Sequence, residues 1–136
     1  MVEFQEYSKE QKIKMEAWMV NTMQKSKKKG LAVHDKRSFT FEKIELVVYQ
    51  SELQEWQSIF ETDYGGIKKM SGQKPSEDDM RLTHSYGGIN EFQTLFVNAL
   101  DQDLIAIAMF WPWNDKEHFT LHMGFVRKDI PDSQKL

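Results

Sequence analysis

No cysteine occurs among the 136 residues. That excludes a disulfide framework, a thiolate nucleophile and any cysteine-based metal site, and it suits a reducing cytoplasm. Long apolar stretches are missing too. The unbroken run Leu104 to Trp111 has only eight residues, against ~20 for a helix that spans a bilayer. The opening residues, MVEFQEYSKEQ, lack a charged start followed by an apolar run, so no signal peptide is expected and the cytoplasm is the default location. Excess positive charge is also absent. With 18 Lys and Arg against 21 Asp and Glu, the net charge of −3 argues against nucleic acid as the main partner, because phosphate backbones select positive surfaces.

Motifs that carry chemistry are scarce. The Gly-Gly pairs in Tyr64 to Ile67 and Tyr86 to Ile89 lack the spacing of a phosphate-binding loop. No GxSxG elbow surrounds a serine, and Ser85 beside His84 would point to the opposite face of a strand. The four histidines, at 34, 84, 118 and 122, stand in no HExxH or related spacing. On one strand His118 and His122 share a face but lie about 13 Å apart, too far to chelate one ion. No catalytic residue, metal or cofactor is therefore expected.

The chain does contain enough apolar material for one domain over residues 1–136, being 40% hydrophobic with four Trp and nine Phe. Its most organised stretch runs from Asp103 to Val126. The apolar run to Trp111 suits a buried strand, Asn114 to Glu117 make a turn, and Phe119, Leu121 and Met123 alternate with His118, Thr120 and His122. This predicts a β-hairpin. A loop centred on Asp115-Lys116 sets Trp113 opposite His118, Trp111 opposite Thr120, Met109 opposite His122 and Ile107 opposite Gly124. The other face then meets Phe110, Ala108 and Pro112 with Leu121, Met123 and Phe119, and is assigned to the core. The first face is aromatic but carries polar groups, and it is the local hint of a site.

Elsewhere the pattern predicts three helices. Ser8 with Gln11 makes a capping box for a helix over about 9–29, closed by Lys25, Lys27 to Lys29 and Gly30. Its Ile13, Ala17 and Val20 fall on one stripe and Met15, Met19 and Met23 on another, with Trp18 further round, more apolar surface than one sheet face needs. Phe39 and Phe41 suggest a short strand before a longer one at 44–49. Leu53, Trp56 and Phe60 place a second helix at about 52–62. Residues 64–86 read as a loop containing a short edge strand through Met80, Leu82 and His84. Asn90 to Gln93, followed by Phe92, Leu95, Phe96, Ala99 and Leu100, predicts a third helix at about 91–101. Residues 127–136 read as a frayed tail.

The order of elements implies an α+β two-layer sandwich, an antiparallel sheet of about four strands with helices mainly on one face. Surplus aromatic surface without catalytic spacing points to a non-catalytic regulatory protein of inhibitor or immunity type. It would bind a protein partner or itself, with no membrane role. The binding candidates are Trp111, Trp113, His118, Thr120 and His122 on the hairpin, Met15, Trp18 and Met19 on the first helix, and His84 and Tyr86 in the loop. A homodimer through the first helix fits this scheme. The alternative is a small-ligand domain or enzyme with a His-containing pocket between the hairpin and the 64–86 loop.

Overall fold

The computed structural model describes residues 7–128. Ser8 opens α1, Lys9–Lys28: its Oγ accepts from the Gln11 N–H at 3.1 Å, and the Gln11 side chain accepts from the Ser8 N–H at 3.0 Å. These two bonds satisfy two of the N–H groups that a helix start leaves without intrahelical partners. Gly30, at φ +70°, ends the turn behind the lysines. The methionine stripe is the one that packs: Met15 and Met19 are buried, whereas Ile13 and Val20 face solvent. Each such buried side chain contributes roughly 2 kcal/mol relative to exposure.

After α1 the chain makes β1, Val33–Phe39, and β2, Lys43–Tyr49, joined by a tight turn in which the Thr40 N–H donates to the Lys43 carbonyl. α2, Leu53–Tyr64, follows a 3-10 turn, and Gly65 caps it in the left-handed region at φ +80°. Trp18 Nε1 donates to Tyr64 Oη at 3.0 Å with the rings edge to face, and Lys25 pairs with Asp63, so α1 and α2 are clamped together. α3 is Glu77–Thr83, a 3-10 turn spans His84–Tyr86, and then come β3, Thr94–Ala99, β4, Leu104–Pro112, and β5, His118–Arg127.

The five strands form one antiparallel sheet in the order β1-β2-β5-β4-β3, so the fold is α+β with five strands rather than four. The hairpin has the expected register, pairing Trp111 with Thr120, Met109 with His122 and Ile107 with Gly124. Its core face also holds: Ala108, Phe110, Phe119, Leu121 and Met123 join Ile44, Leu46, Val48 and Phe96 beneath α1 and α2. Pro112, assigned to that face, is exposed at the strand end. A second, smaller core of Leu82, Ile89, Leu95, Ile105, Ile107, Met109 and Val126 occupies the opposite face under α3.

Three sequence expectations fail for identifiable reasons. The predicted helix at 91–101 is strand β3; the Asn90 and Gln93 side chains do cap a turn, but it leads into an extended segment. Leu95 reaches the second core and Phe96 the first, and a strand buried on both faces is apolar throughout, which periodicity does not separate from a helix. The predicted edge strand at 80–84 is α3, nucleated by a capping box in which Ser76 Oγ accepts from the Asp79 N–H and the Asp79 carboxylate accepts from the Ser76 N–H. Thus the acidic trio of Glu77, Asp78 and Asp79 forms a helix's first turn, where negative charge opposes the positive end of the dipole. The short strand at Phe39 to Phe41 instead begins at Val33 and turns at Phe39, with both phenylalanines exposed.

The sheet edges are protected. Register shifts and the charged residues Asp35, Lys36 and Arg37 interrupt β1, while Lys69 bridges to Leu95 outside β3. Lys69 is itself buried, and its Nζ donates to the carbonyls of Met70, Glu91 and Gln93 at 3.0, 2.9 and 2.7 Å. Of the expected tail, Arg127 closes β5 and its Nε donates to Asp103 at 2.9 Å; residues 129–136 lie outside the described residues. Among the described residues no helix is long and apolar enough to cross a membrane.

Candidate functional site

Period-two alternation sends Glu45, Val47 and Tyr49 of β2 to the face opposite α1 and α2. The β2-β5-β4 pairing then builds transverse rows there: Glu45, His122 and Met109, and above them Val47, Thr120 and Trp111; Tyr49 and His118 pair at the end of β2. Tyr86 closes one side. Its Oη donates to the Phe125 carbonyl at 2.9 Å and accepts from the Phe125 N–H at 2.8 Å, beyond the end of β2. Its ring meets His122 edge to face, 5.4 Å between centroids. Gly124 makes this approach possible, since a Cβ there would overlap Oη and Cζ of Tyr86.

These elements enclose a cleft of about 530 Å³, with Met109, Trp111, Pro112, Trp113 and Tyr86 as apolar wall and Arg37, Glu45, Thr120 and His122 among its polar groups. Trp113 Nε1 donates to Thr120 Oγ1 at 2.8 Å, which locks that ring, and the Arg37 guanidinium lies over it at 5.4 Å. Trp111 is 54% exposed at the rim.

The floor is electrostatically unsettled. Glu45 Oε1 stands 3.6 Å from His122 Nε2, too far for a hydrogen bond, and that buried nitrogen has no hydrogen-bond partner among the described residues. Burial holds the His122 pKa below the usual imidazole value, with Glu45 opposing the shift, so the ring is neutral at pH 7. Burial also pushes Tyr86 up to about 12, which keeps its hydroxyl protonated. A carboxylate beside a neutral imidazole is able to accept hydrogen bonds or a positive charge. The neighbouring Thr120 hydroxyl accepts from Trp113 Nε1 and has no general base bonded to it.

Of the sequence candidates, Trp111, Trp113, Thr120, His122 and Tyr86 come together around this cleft. His118 lies outside it, packed with His34, Tyr49 and Trp113, its Nδ1 2.6 Å from Asp115 Oδ2. His84 is exposed on the 3-10 turn. Met15 and Met19 sit in the core on the other side of the sheet, with Trp18 packed beside them and bonded to Tyr64, so this part of α1 presents no open face. Sequence reasoning missed Arg37, Glu45, Gln93 and Met109 as lining groups. Met109 had a signal in its place opposite His122 on the suspect hairpin face, and Glu45 had one as a charge between Ile44 and Leu46 on a recognised strand; nothing local showed that β2 lies beside β5.

One convergent group of potential metal ligands occurs among the described residues: Asp115, Glu117 and His118, with one donor atom each within 4.8 Å of the others. Comparison with protein-family models, with curated proteins and with solved structures finds no match to this chain.

Proposed function

We propose that the protein is a non-catalytic cytoplasmic binding domain whose cleft takes a small, flat, nitrogen-bearing molecule that presents N–H donors or a positive charge. The observation that carries this reading is the Glu45 carboxylate, unbonded to the neighbouring His122 ring, at the floor of an aromatic cleft. The Glu45 carboxylate keeps part of its surface open to the cleft, where a ligand N–H donor or positive charge meets it. Trp111 and Tyr86 supply π faces for a planar cation. The cleft's size matches the range of small-molecule sites.

Benzamidinium, benzamide and benzoate are suitable probes, of similar shape and different charge. Titration followed by tryptophan fluorescence and by the His122 ring resonances should show benzamidinium bound most tightly, at ~mM for so small a molecule. Glu45→Gln should weaken it at least tenfold. Indifference of the tryptophans to all three probes, or binding unaltered by Glu45→Gln, refutes the reading.

A protein partner on the same face is the second reading, favoured by Trp111, whose 54% exposure beside the cleft offers a large anchor of the type that dominates protein interfaces. A regulatory partner of inhibitor or immunity type would protect Trp111 and the β5 amides around Thr120 from hydrogen exchange. Self-association through α1 would use Ile13 and Val20, its exposed stripe, and light scattering before and after Val20→Glu measures it.

A further inference from the structure

The cleft carries charge of both signs. Of its lining residues Arg37, Glu45 and Asp115 are charged, and Asp115 is committed: its carboxylate accepts from the N–H groups of Glu117 and His118 and lies 2.6 Å from His118 Nδ1. Glu45 and Arg37 are not committed. Glu45 stands 3.6 Å from His122 Nε2, and Arg37 Nε stands 3.6 Å from Asp35 Oδ2, both beyond hydrogen-bond range. No ion pair joins the two among the described residues, although Ser38, next to Arg37, is the β1 partner of Glu45. Glu45 is the deeper of the pair, with 23% of its side chain exposed against 48% for Arg37.

Arg37 reaches the cleft through an irregularity of β1. Lys36 pairs with Leu46 and Ser38 with Glu45, so two steps on β1 oppose one on β2 and Arg37 is the extra residue of a bulge. A bulge re-aims a side chain on an edge strand without ending the pairing. Here it delivers the guanidinium to the cleft, with Cζ 5.4 Å from the centre of the Trp113 ring. That ring is itself fixed by its bond to Thr120 Oγ1, which makes it a firm platform for the arginine. The N–H donors around the edge of the guanidinium are left for an acceptor.

We propose that the ligand of this cleft is a planar zwitterion, with a cationic nitrogen group at one end and a carboxylate at the other, and that Arg37 is the residue that selects the carboxylate. The inference rests on the binding reading above and adds the second charge to it. The cationic end meets Glu45 at the floor, the flat body lies along Trp111 and Tyr86, and the carboxylate meets the edge of the Arg37 guanidinium, whose paired donors match two carboxylate oxygens. Asp35 yields its place readily, because an exposed ion pair contributes little. A purely anionic molecule is repelled at the floor, and a purely cationic one leaves Arg37 unmet. The two charges fix the orientation of the ligand, cation inward.

The test titrates the full chain with benzamidinium, 3-amidinobenzoate, 4-amidinobenzoate and benzoate, followed by calorimetry and tryptophan fluorescence. The two amidinobenzoates share the cationic group and place the carboxylate at two different reaches. At least one of them should bind about fivefold more tightly than benzamidinium, the gain expected of a charge-assisted pair at a half-exposed rim. Benzoate should bind more weakly than any amidine. Arg37→Gln should abolish the preference, bringing the amidinobenzoates to the affinity of benzamidinium or below it, with far-UV circular dichroism unchanged. Benzamidinium binding that depends on Glu45, with no gain for either amidinobenzoate or with a gain that survives Arg37→Gln, overturns the zwitterion and leaves the binding reading standing. An equal rise in affinity for all the amidines on Arg37→Gln marks Arg37 as a repulsive neighbour and also overturns it. Failure of every amidine to bind overturns both.

Discussion

Replacing Gly124 by alanine tests whether Tyr86 is seated against β5 as the structure shows. A Cβ at this position would overlap Oη and Cζ of Tyr86 and stand 2.6 Å from Cε1. The tyrosine ring is rigid, so it must move as a whole by about 1 Å or more to reach ordinary contact distance. Such a shift breaks its bonds of 2.9 and 2.8 Å with the Phe125 carbonyl and N–H and disturbs the edge-to-face contact with His122. Overpacking costs about 1–3 kcal/mol and each lost hydrogen bond about 1 kcal/mol, so the expected loss is roughly 3 kcal/mol. For a chain of this length that lowers Tm by roughly 10 °C. Urea denaturation of Gly124→Ala, Tyr86→Ala and the double variant gives the coupling. Because Tyr86→Ala removes the obstacle, the double variant should be more stable than additivity predicts by about 2 kcal/mol. A Gly124→Ala variant within about 0.5 kcal/mol of the parent, or strict additivity, refutes this packing account.

Two further outcomes follow from buried polar groups. Lys69→Met preserves the apolar stem but deprives the Met70, Glu91 and Gln93 carbonyls of their shared donor, and should cost about 3 kcal/mol in urea denaturation; a loss below about 1 kcal/mol would show that water replaces the ammonium freely. His122 has a folded pKa below its unfolded value, so the unfolded chain binds the proton first. Its neutral form imposes no proton-linked penalty above the unfolded pKa, and stability falls as pH drops below about 6.5. His122→Gln should flatten the stability profile between about pH 5 and 7; an unchanged slope assigns the effect to other groups.

The hairpin was legible because its pairing is local. Only the residues Asn114 to Glu117 separate its arms, and alternation on both sides of that turn allows one register that puts Phe110 and Leu121 together in the core. The same arithmetic separated Trp111, Thr120 and His122 onto a different face before any other element was placed. α1 was legible from its caps and apolar spacing and α2 from the spacing of Leu53, Trp56 and Phe60, though α1 carries two apolar stripes, and only packing chose the Met15 and Met19 stripe over Ile13 and Val20. β3 was not legible, since Leu95 and Phe96 enter two different cores and an apolar run of that length suits either secondary structure.

The sequence by itself determined a hairpin with two unlike faces and the aromatic half of the cleft. Tertiary structure decided the other half. The order β1-β2-β5-β4-β3 brings Glu45 beside His122 and His34 against His118, and the return of the chain after α3 sets Tyr86 on Gly124. These meetings join segments tens of residues apart, where nothing in the local pattern says which strand will lie beside which. Burial of apolar area across the whole sheet makes that choice, and the polar groups carried on the opposite face meet as its consequence.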